Sequence, residues 1–410
     1  MAESPVVVRH REHLWNLLSE SAQLEHMIMC EYLYAAFGLR TEVGEGLTEK
    51  QLEAVWRWQH ELTAIAIQEM LHLALVCNVM VAIGAAPTFG RPNFPQRSNY
   101  FPPEVQLDLL PFGDAALEHF LFLERPEGVD RSDAPGFEPH TEPRELVDPD
   151  ELMPRGQDFG TIGHLYRGIE AGLHTLAADY GEAALFVGSP RAQITPELLH
   201  WPQLVTVTDL QSAIAALQEI IEQGEGARED HTDGHYGRFL RLAEEYRALR
   251  QEDPDFEPAH PTVPAFTRQP YDNAEPCAII TDPRTRQIAE LFNVGYGLVL
   301  LTLLRLFTHT DETDDQLKTL AGVAIGLMGK AVGPLGRLLS TLPVGPEYPG
   351  RTAGPAFEMY YMVTNLVPWR PAAWALMIER ADLFSTRLKS AGLDEIAAQA
   401  AVLAARLRSD

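Results

Sequence analysis

The sequence predicts an all-α protein: a four-helix bundle whose halves are joined by a long Pro-rich crossover, followed by a C-terminal helical region. Three observations carry this expectation. Apolar residues recur at three- and four-residue steps over long stretches, the period of a helix with one buried face. Prolines punctuate residues 85–158 so densely that no single regular element spans them. No stretch alternates apolar and polar residues as a half-buried strand would.

The first helix is expected over about residues 10–40, where Leu14, Leu17, Leu18, Leu24, Ile28, Tyr32, Ala35 and Ala36 share a face. Gly38 and the stretch 41–46 break it. The second runs over about 48–83. Thr48 with Gln51 three residues later forms a capping box, and Gly84 and Pro87 close the helix. Two long helices joined by a short turn make an antiparallel pair. The crossover 85–158 carries one short helix near 115–123. A third long helix follows over 159–184 and a fourth over 209–223, with Asp209 as N-cap. Gly224 and Gly226 interrupt the fourth, and helical pattern resumes over 234–249. Three domains follow from this: a bundle over 1–253, a Pro-rich linker over 254–282, and a C-terminal helical domain over 283–410 packed on the bundle. The last is read as helices over 283–307, 314–342 and 371–408.

The chain has 410 residues and a formal net charge of −26. Phosphate and anionic-lipid binding both need clustered Lys and Arg, so neither nucleic acid nor a membrane surface is an expected partner. The three cysteines form no C-x-x-C pair, which argues against a disulfide framework or a thiolate zinc site. Residues 1–10 lack a signal-peptide layout, and no charge-free apolar run of membrane-spanning length is found; Leu298–Phe307 is short and interrupted by Arg305. A cytoplasmic location is the expectation.

The sharpest motif is Glu69-Met70-Leu71-His72. Glu and His three residues apart project from one helix face, and in dinuclear carboxylate bundles such a pair supplies a bridging carboxylate and an imidazole. Taken alone, the pair reads equally well as a solvent-facing stripe. Its neighbours Ile65, Ile67, Met70, Leu73 and Val76 are apolar, however, and buried charge is rare unless paired or metal-bound. Glu25 on the first helix falls at a comparable height across the hairpin. Tyr32 lies two turns beyond Glu25 and is the candidate catalytic residue, placed to hydrogen-bond a metal-bound carboxylate. The third and fourth helices offer a looser echo in Glu170 and Glu222. A pseudo-twofold would match Glu25 with Glu170 and Glu69 with Glu222, making Glu69 and Glu222 the bridges. Glu225 stands where the second histidine belongs. His235 is the candidate in its place, with His231 and His174 as alternatives. Four carboxylates with one or two imidazoles suit two Fe ions per chain, with Mn or Zn as alternatives.

These residues resemble a known family. Leu24-Glu25 with Tyr32-Leu33-Tyr34-Ala35-Ala36-Phe37, then Gln68-Glu69-Met70-Leu71-His72-Leu73, then Glu222-Gln223-Gly224-Glu225-Gly226 with His235-Tyr236-Gly237-Arg238-Phe239, are similar to the ferritin-like domain named after the iminophenyl-pyruvate dimer synthases of the violacein and rebeccamycin pathways. Residues 292–296 and 352–358 resemble that family's C-terminal extension. The resemblance implies a stand-alone member with a ferritin-like bundle. The pathway enzymes are much longer, so it bears on fold and metal site ahead of substrate.

The expected function is a non-haem di-iron oxidase or oxygenase. Its expected partners are O2 and a small, amino-acid-derived molecule of specialised metabolism, with a homodimer as an admissible assembly. The alternatives are a non-catalytic iron-handling protein and a degenerate scaffold. In the C-terminal third, Asn293, Tyr296 and Glu358 read either as pocket residues or as helix packing.

Overall fold

The computed structural model describes every residue except 1–4, 98–99, 140–141, 147, 149–150, 227–230, 271–275, 360–365, 367 and 410. Its helices are α1 Arg11–Gly38, α2 Glu49–Ala82, α3 Asp114–Leu123, α4 Ile162–Tyr180, α5 Glu182–Leu185, α6 Pro196–Leu199, α7 Leu210–Glu225, α8 His235–Glu252, α9 Pro283–Phe307, α10 Asp314–Leu327, α11 Gly333–Leu339, α12 Arg370–Ser390 and α13 Asp394–Ser409. Short strands β1 Thr262–Phe266, β2 Ala278–Ile279 and β3 Thr352–Pro355 complete it. The chain divides into two compact units. One comprises residues 1–86, 95–193 and 203–259; the other comprises 87–94, 194–202 and 260–410.

In the first unit, α1, α2, α7 and α4 form a four-helix bundle: α1 packs on α2 and α4, and α7 packs on the same two helices. Local signals start these helices where the sequence places them. Thr48 accepts from the Gln51 backbone while Gln51 reaches back, completing the capping box of α2. Thr161 caps α4 and Asp209 caps α7. The end of α2 turns through Gly84 at φ 84°, a conformation open to a residue without Cβ. Arg11 of α1 then donates to the Ile83 carbonyl at 2.8 Å, satisfying a group the helix end leaves free. The third long helix is shorter than its pattern, because Gly181 at φ 82° separates α4 from α5. Within the crossover, α3 packs on α8. The core face of α1 and α2 is continuous through Leu14, Leu17, Ile28, Tyr32, Trp58, Leu62 and Ile65, all at most 1 % exposed.

The second unit departs from the expectation of helices alone. β1 lies between β2 and β3 in a small parallel sheet, with Thr262 opposite Thr352 and Ala265 opposite Ala278. The segment around β1 reads as linker because Pro264 breaks the strand pattern within five residues. The helix expected over 314–342 is interrupted by a π-turn over Met328–Val332, just before Pro334, whose missing N–H cannot continue the ladder. The last expected helix is two, α12 and α13, which turn at Gly392 (φ 71°) and pack on each other. Asn293, Tyr296 and Glu358 are knitted into the unit's packing. Tyr296 accepts from Arg91 at 3.0 Å, and Glu358 accepts from the Thr267 backbone and hydroxyl at 2.8 Å each. Helices α2, α9 and the stretch Asp314–Leu339 are long and apolar enough to cross a membrane by length and composition. Most of each apolar window is buried within the protein (72, 67 and 56 %), and in α9 the charged Arg305 is itself buried against Glu312.

Candidate metal centre

Helix α1 presents Glu25 to the bundle interior, and α2 presents Glu69 and His72 one turn apart. All three are 2 % exposed. His72 Nδ1 lies 2.9 Å from one Glu69 oxygen, Oε2, and 3.4 Å from Glu25 Oε2. On the other side of Glu69, the first residue of α8 enters: His235 Nδ1 is 2.8 Å from Glu69 Oε1 and 3.5 Å from Glu124 Oε1. Glu124 caps the C-terminus of α3, inside the crossover. Glu25, Glu69 and His72 offer three ligand atoms within 4.8 Å of one another, and so do Glu69, Glu124 and His235. Glu69 thus turns one oxygen to each half. The two imidazoles lie 5.4 Å apart at 28°.

Each terminal carboxylate has a tyrosine behind it. The Tyr166 hydroxyl donates to Glu25 Oε1, and the Tyr32 hydroxyl donates to Glu124 Oε1. The halves therefore repeat one pattern of histidine, terminal glutamate and buried tyrosine around a shared glutamate. Glu69 Oε1 and His235 Nδ1 meet at 2.8 Å without hydrogen-bond geometry to any described residue. Buried donors that meet without bonding to each other are what a cation between them would use.

The electrostatics agree. Burial pushes Glu25 up to about 7. Burial works the same way on Glu69, but the His235 and His72 imidazoles overcome it and hold its carboxyl well below the usual range. Burial lowers His72 and His235, and the surrounding carboxylates more than reverse it, so both are raised. Without metal, protons supply the positive charge that the three carboxylates require.

Of the residues the sequence singles out, Glu25, Glu69, His72 and His235 meet here, with Tyr32 against the cluster. Glu170 and Glu222 do not join them. Glu222 is exposed at the end of α7, and its neighbour Gln223 instead places Oε1 3.2 Å from His72 Nε2. Glu170 is half-buried; Tyr166, one turn earlier on α4, is the residue that reaches Glu25. The crossover thus supplies a carboxylate where the pseudo-twofold expected one from α4 or α7, and among the described residues three glutamates converge. Glu225 pairs with Arg167, His231 binds the Glu225 carbonyl at 2.6 Å, and His174 is exposed. Glu124 is the residue the pattern does not reveal. Its one sequence signal is a carboxylate ending an apolar helix before Pro126, an end where the helix dipole disfavours negative charge.

The crossover also walls a cavity of about 1060 Å³, lined by Phe122 and Arg125 on either side of Glu124, with Phe137, Phe159 and Asp133.

A family model described as ferritin-like matches residues 18–244. Over 386 residues the chain is 27 % identical to dichlorochromopyrrolate synthase from Lentzea aerocolonigenes, covering 85 % of this chain and 36 % of that one. Over 368 residues it is 27 % identical to 2-imino-3-(indol-3-yl)propanoate dimerase from Chromobacterium violaceum, covering 86 % and 34 %. The chain thus spans about a third of the length of the curated relatives it matches. A solved ferritin-like protein from Caulobacter vibrioides shares the fold at a TM-score of 0.51 and 19 % identity, over 83 % of this chain and 98 % of that one. Matched by the family model over more than half its length, the chain belongs to the ferritin-like family.

Proposed function

We propose that the cluster holds two divalent metal ions, Fe before Mn or Zn, and serves a non-haem, O2-dependent oxidase or oxygenase acting on a small, amino-acid-derived molecule. The observation that carries this reading is the placement of Glu69, with one oxygen toward His72 and Glu25 and the other toward His235 and Glu124. A shared carboxylate flanked by one imidazole and one further carboxylate on each side is the donor set of a dinuclear iron site. Such a pair of ions would supply the redox chemistry that activates O2.

The chain's own residues have definable roles in this reading. Glu25 and His72 hold one position; Glu124 and His235 hold the other. Tyr166 and Tyr32 fix the terminal carboxylates by donating to them, which sets ligand orientation and basicity. Tyr32 acts through Glu124 as a positioning residue. The apolar walls of α1 and α2 exclude water and keep the ligand geometry rigid. The cavity walled by the crossover has room for a small molecule, and its mixed aromatic and charged wall suits an amphiphilic one. The names of the two relatives, dichlorochromopyrrolate synthase and 2-imino-3-(indol-3-yl)propanoate dimerase, support a small substrate of amino-acid origin.

Anaerobic Fe(II) titration followed by air tests this. The reading expects two Fe(II) per chain, a charge-transfer absorbance on oxygenation and O2 uptake. Absence of all three at two equivalents would remove it.

A further inference from the structure

A second acid–imidazole cluster lies buried outside the metal centre, and the proposed metal chemistry leaves it unused. His119 of α3 is fully buried. Its Nε2 faces Oε2 of Glu31, on α1, at 3.3 Å. Its Nδ1 lies 2.8 Å from Asp133 Oδ1 and 3.1 Å from Asp133 Oδ2. Phe137 stacks on the ring, with centroids 4.0 Å apart at 27°. Asp108, paired with Arg97 at 2.6 Å, also faces His119 and Glu31. Glu31 is wholly buried, whereas Asp133 lines the 1060 Å³ cavity together with Phe137.

We propose that Asp133 is a proton-transfer group of this cavity and that His119, held in place by Glu31, is its proton store. The step is a single transfer. His119 gives its Nδ1 proton to Asp133, and the Asp133 carboxyl passes it to a basic nitrogen or oxygen of a small molecule in the cavity. The imidazolium becomes a neutral imidazole, the carboxylate is regenerated, and the acceptor gains one proton. The reverse path recharges the store.

Two physical arguments favour this over a purely structural triad. Sequestering an imidazolium between carboxylates is costly, and packing alone gives no reason for the outer member to form a cavity wall. The charge state also suits the role. Burial lowers His119, but Glu31 and Asp133 reverse this and carry it to about 9, so near neutral pH the proton is present. Burial raises Glu31 to about 7, and the imidazolium of His119 works against that rise by favouring the carboxylate that faces it.

The inference goes beyond the metal reading and does not rest on it, so its test uses the metal-free protein. Side-chain ¹H–¹⁵N spectra of the full chain at about pH 7.5 should show both His119 ring nitrogens protonated; His119→Gln assigns the signals by their loss. Exchange of the Nδ1 proton with solvent should accelerate in proportion to added unlabelled imidazole, a small base that fits the cavity. Asp133→Asn should slow that exchange by roughly tenfold or more, with backbone exchange in α3 unchanged. A neutral His119, exchange independent of imidazole concentration, or an unaltered rate in Asp133→Asn would each overturn the proposal. Should Asp133→Asn fail to fold, the imidazole dependence in the unaltered protein decides alone.

Discussion

Glu69 on α2 and His235 on α8 bring Oε1 and Nδ1 to 2.8 Å without forming an aligned hydrogen bond. In a fully buried pair the hydrogen bond is forgone, and the attraction between imidazolium and carboxylate is what offsets the lost water. A cation between the two would give each a bonding partner. Metal capture should therefore be coupled to stability, and replacing Glu69 should remove both ions rather than one. In Glu69→Ala, elemental analysis should find metal content near zero. In Glu124→Gln, one ion should remain, held by Glu25 and His72.

The protons on the metal-free cluster give its affinity a pH dependence. His72 and His235 are raised above their ordinary value, and Glu25 is raised to about 7. Ligation needs these groups deprotonated, so binding releases protons and affinity should rise from about pH 6 to 8. Calorimetric titration with Zn(II) in two buffers of different ionisation enthalpy should report proton release per ion. Zero release would contradict the charge arrangement described here.

Metal-free stability should run the opposite way. Burial raises Glu20 and Glu31 from 4.5 to about 7. The native state therefore binds more protons than the unfolded state across that window, and stability falls as pH rises from about 4.5 to 7. Each group is worth roughly 3 kcal/mol across the window, as an order of magnitude. Urea unfolding of the metal-free protein should give a lower midpoint at pH 8 than at pH 5, and Glu31→Gln should flatten the profile. A midpoint that rises with pH would contradict the prediction.

The two tyrosines should separate the two halves. Tyr32→Phe removes the donor to Glu124, and Tyr166→Phe removes the donor to Glu25. Each should weaken one metal position by about tenfold and leave the other nearly unchanged, at a stability cost of about 1 kcal/mol. Stepwise metal titrations of the two variants should show this asymmetry; equal weakening of both positions in either variant would contradict it.

Much of the bundle was legible because its signals are local. The capping box at Thr48 and Gln51, the N-cap at Asp209 and the glycines at 84 and 226 act within a few residues of themselves. Glu25, Glu69 and His72 were legible for a related reason: helical periodicity and hairpin geometry relate them directly. His235 needed a break in the chain to be read as an entry point. Glu124 was hidden because it sits at the end of a short helix in a segment whose prolines erase periodicity, and only tertiary packing of α3 on α8 brings it to Glu69. Glu170 and Glu222 lie outside the cluster because the carboxylate beside His235 comes from the crossover, as Glu124, whereas α4 and α7 bring Tyr166 and Gln223 to it. The strand at β1 was masked by Pro264.

The central claim is that one carboxylate, Glu69, joins two metal positions. Anomalous diffraction from crystals grown with Mn(II) tests it most directly. The account predicts two peaks flanking Glu69, one beside Glu25 and His72 and the other beside Glu124 and His235. A single peak, or peaks away from Glu69, would contradict it.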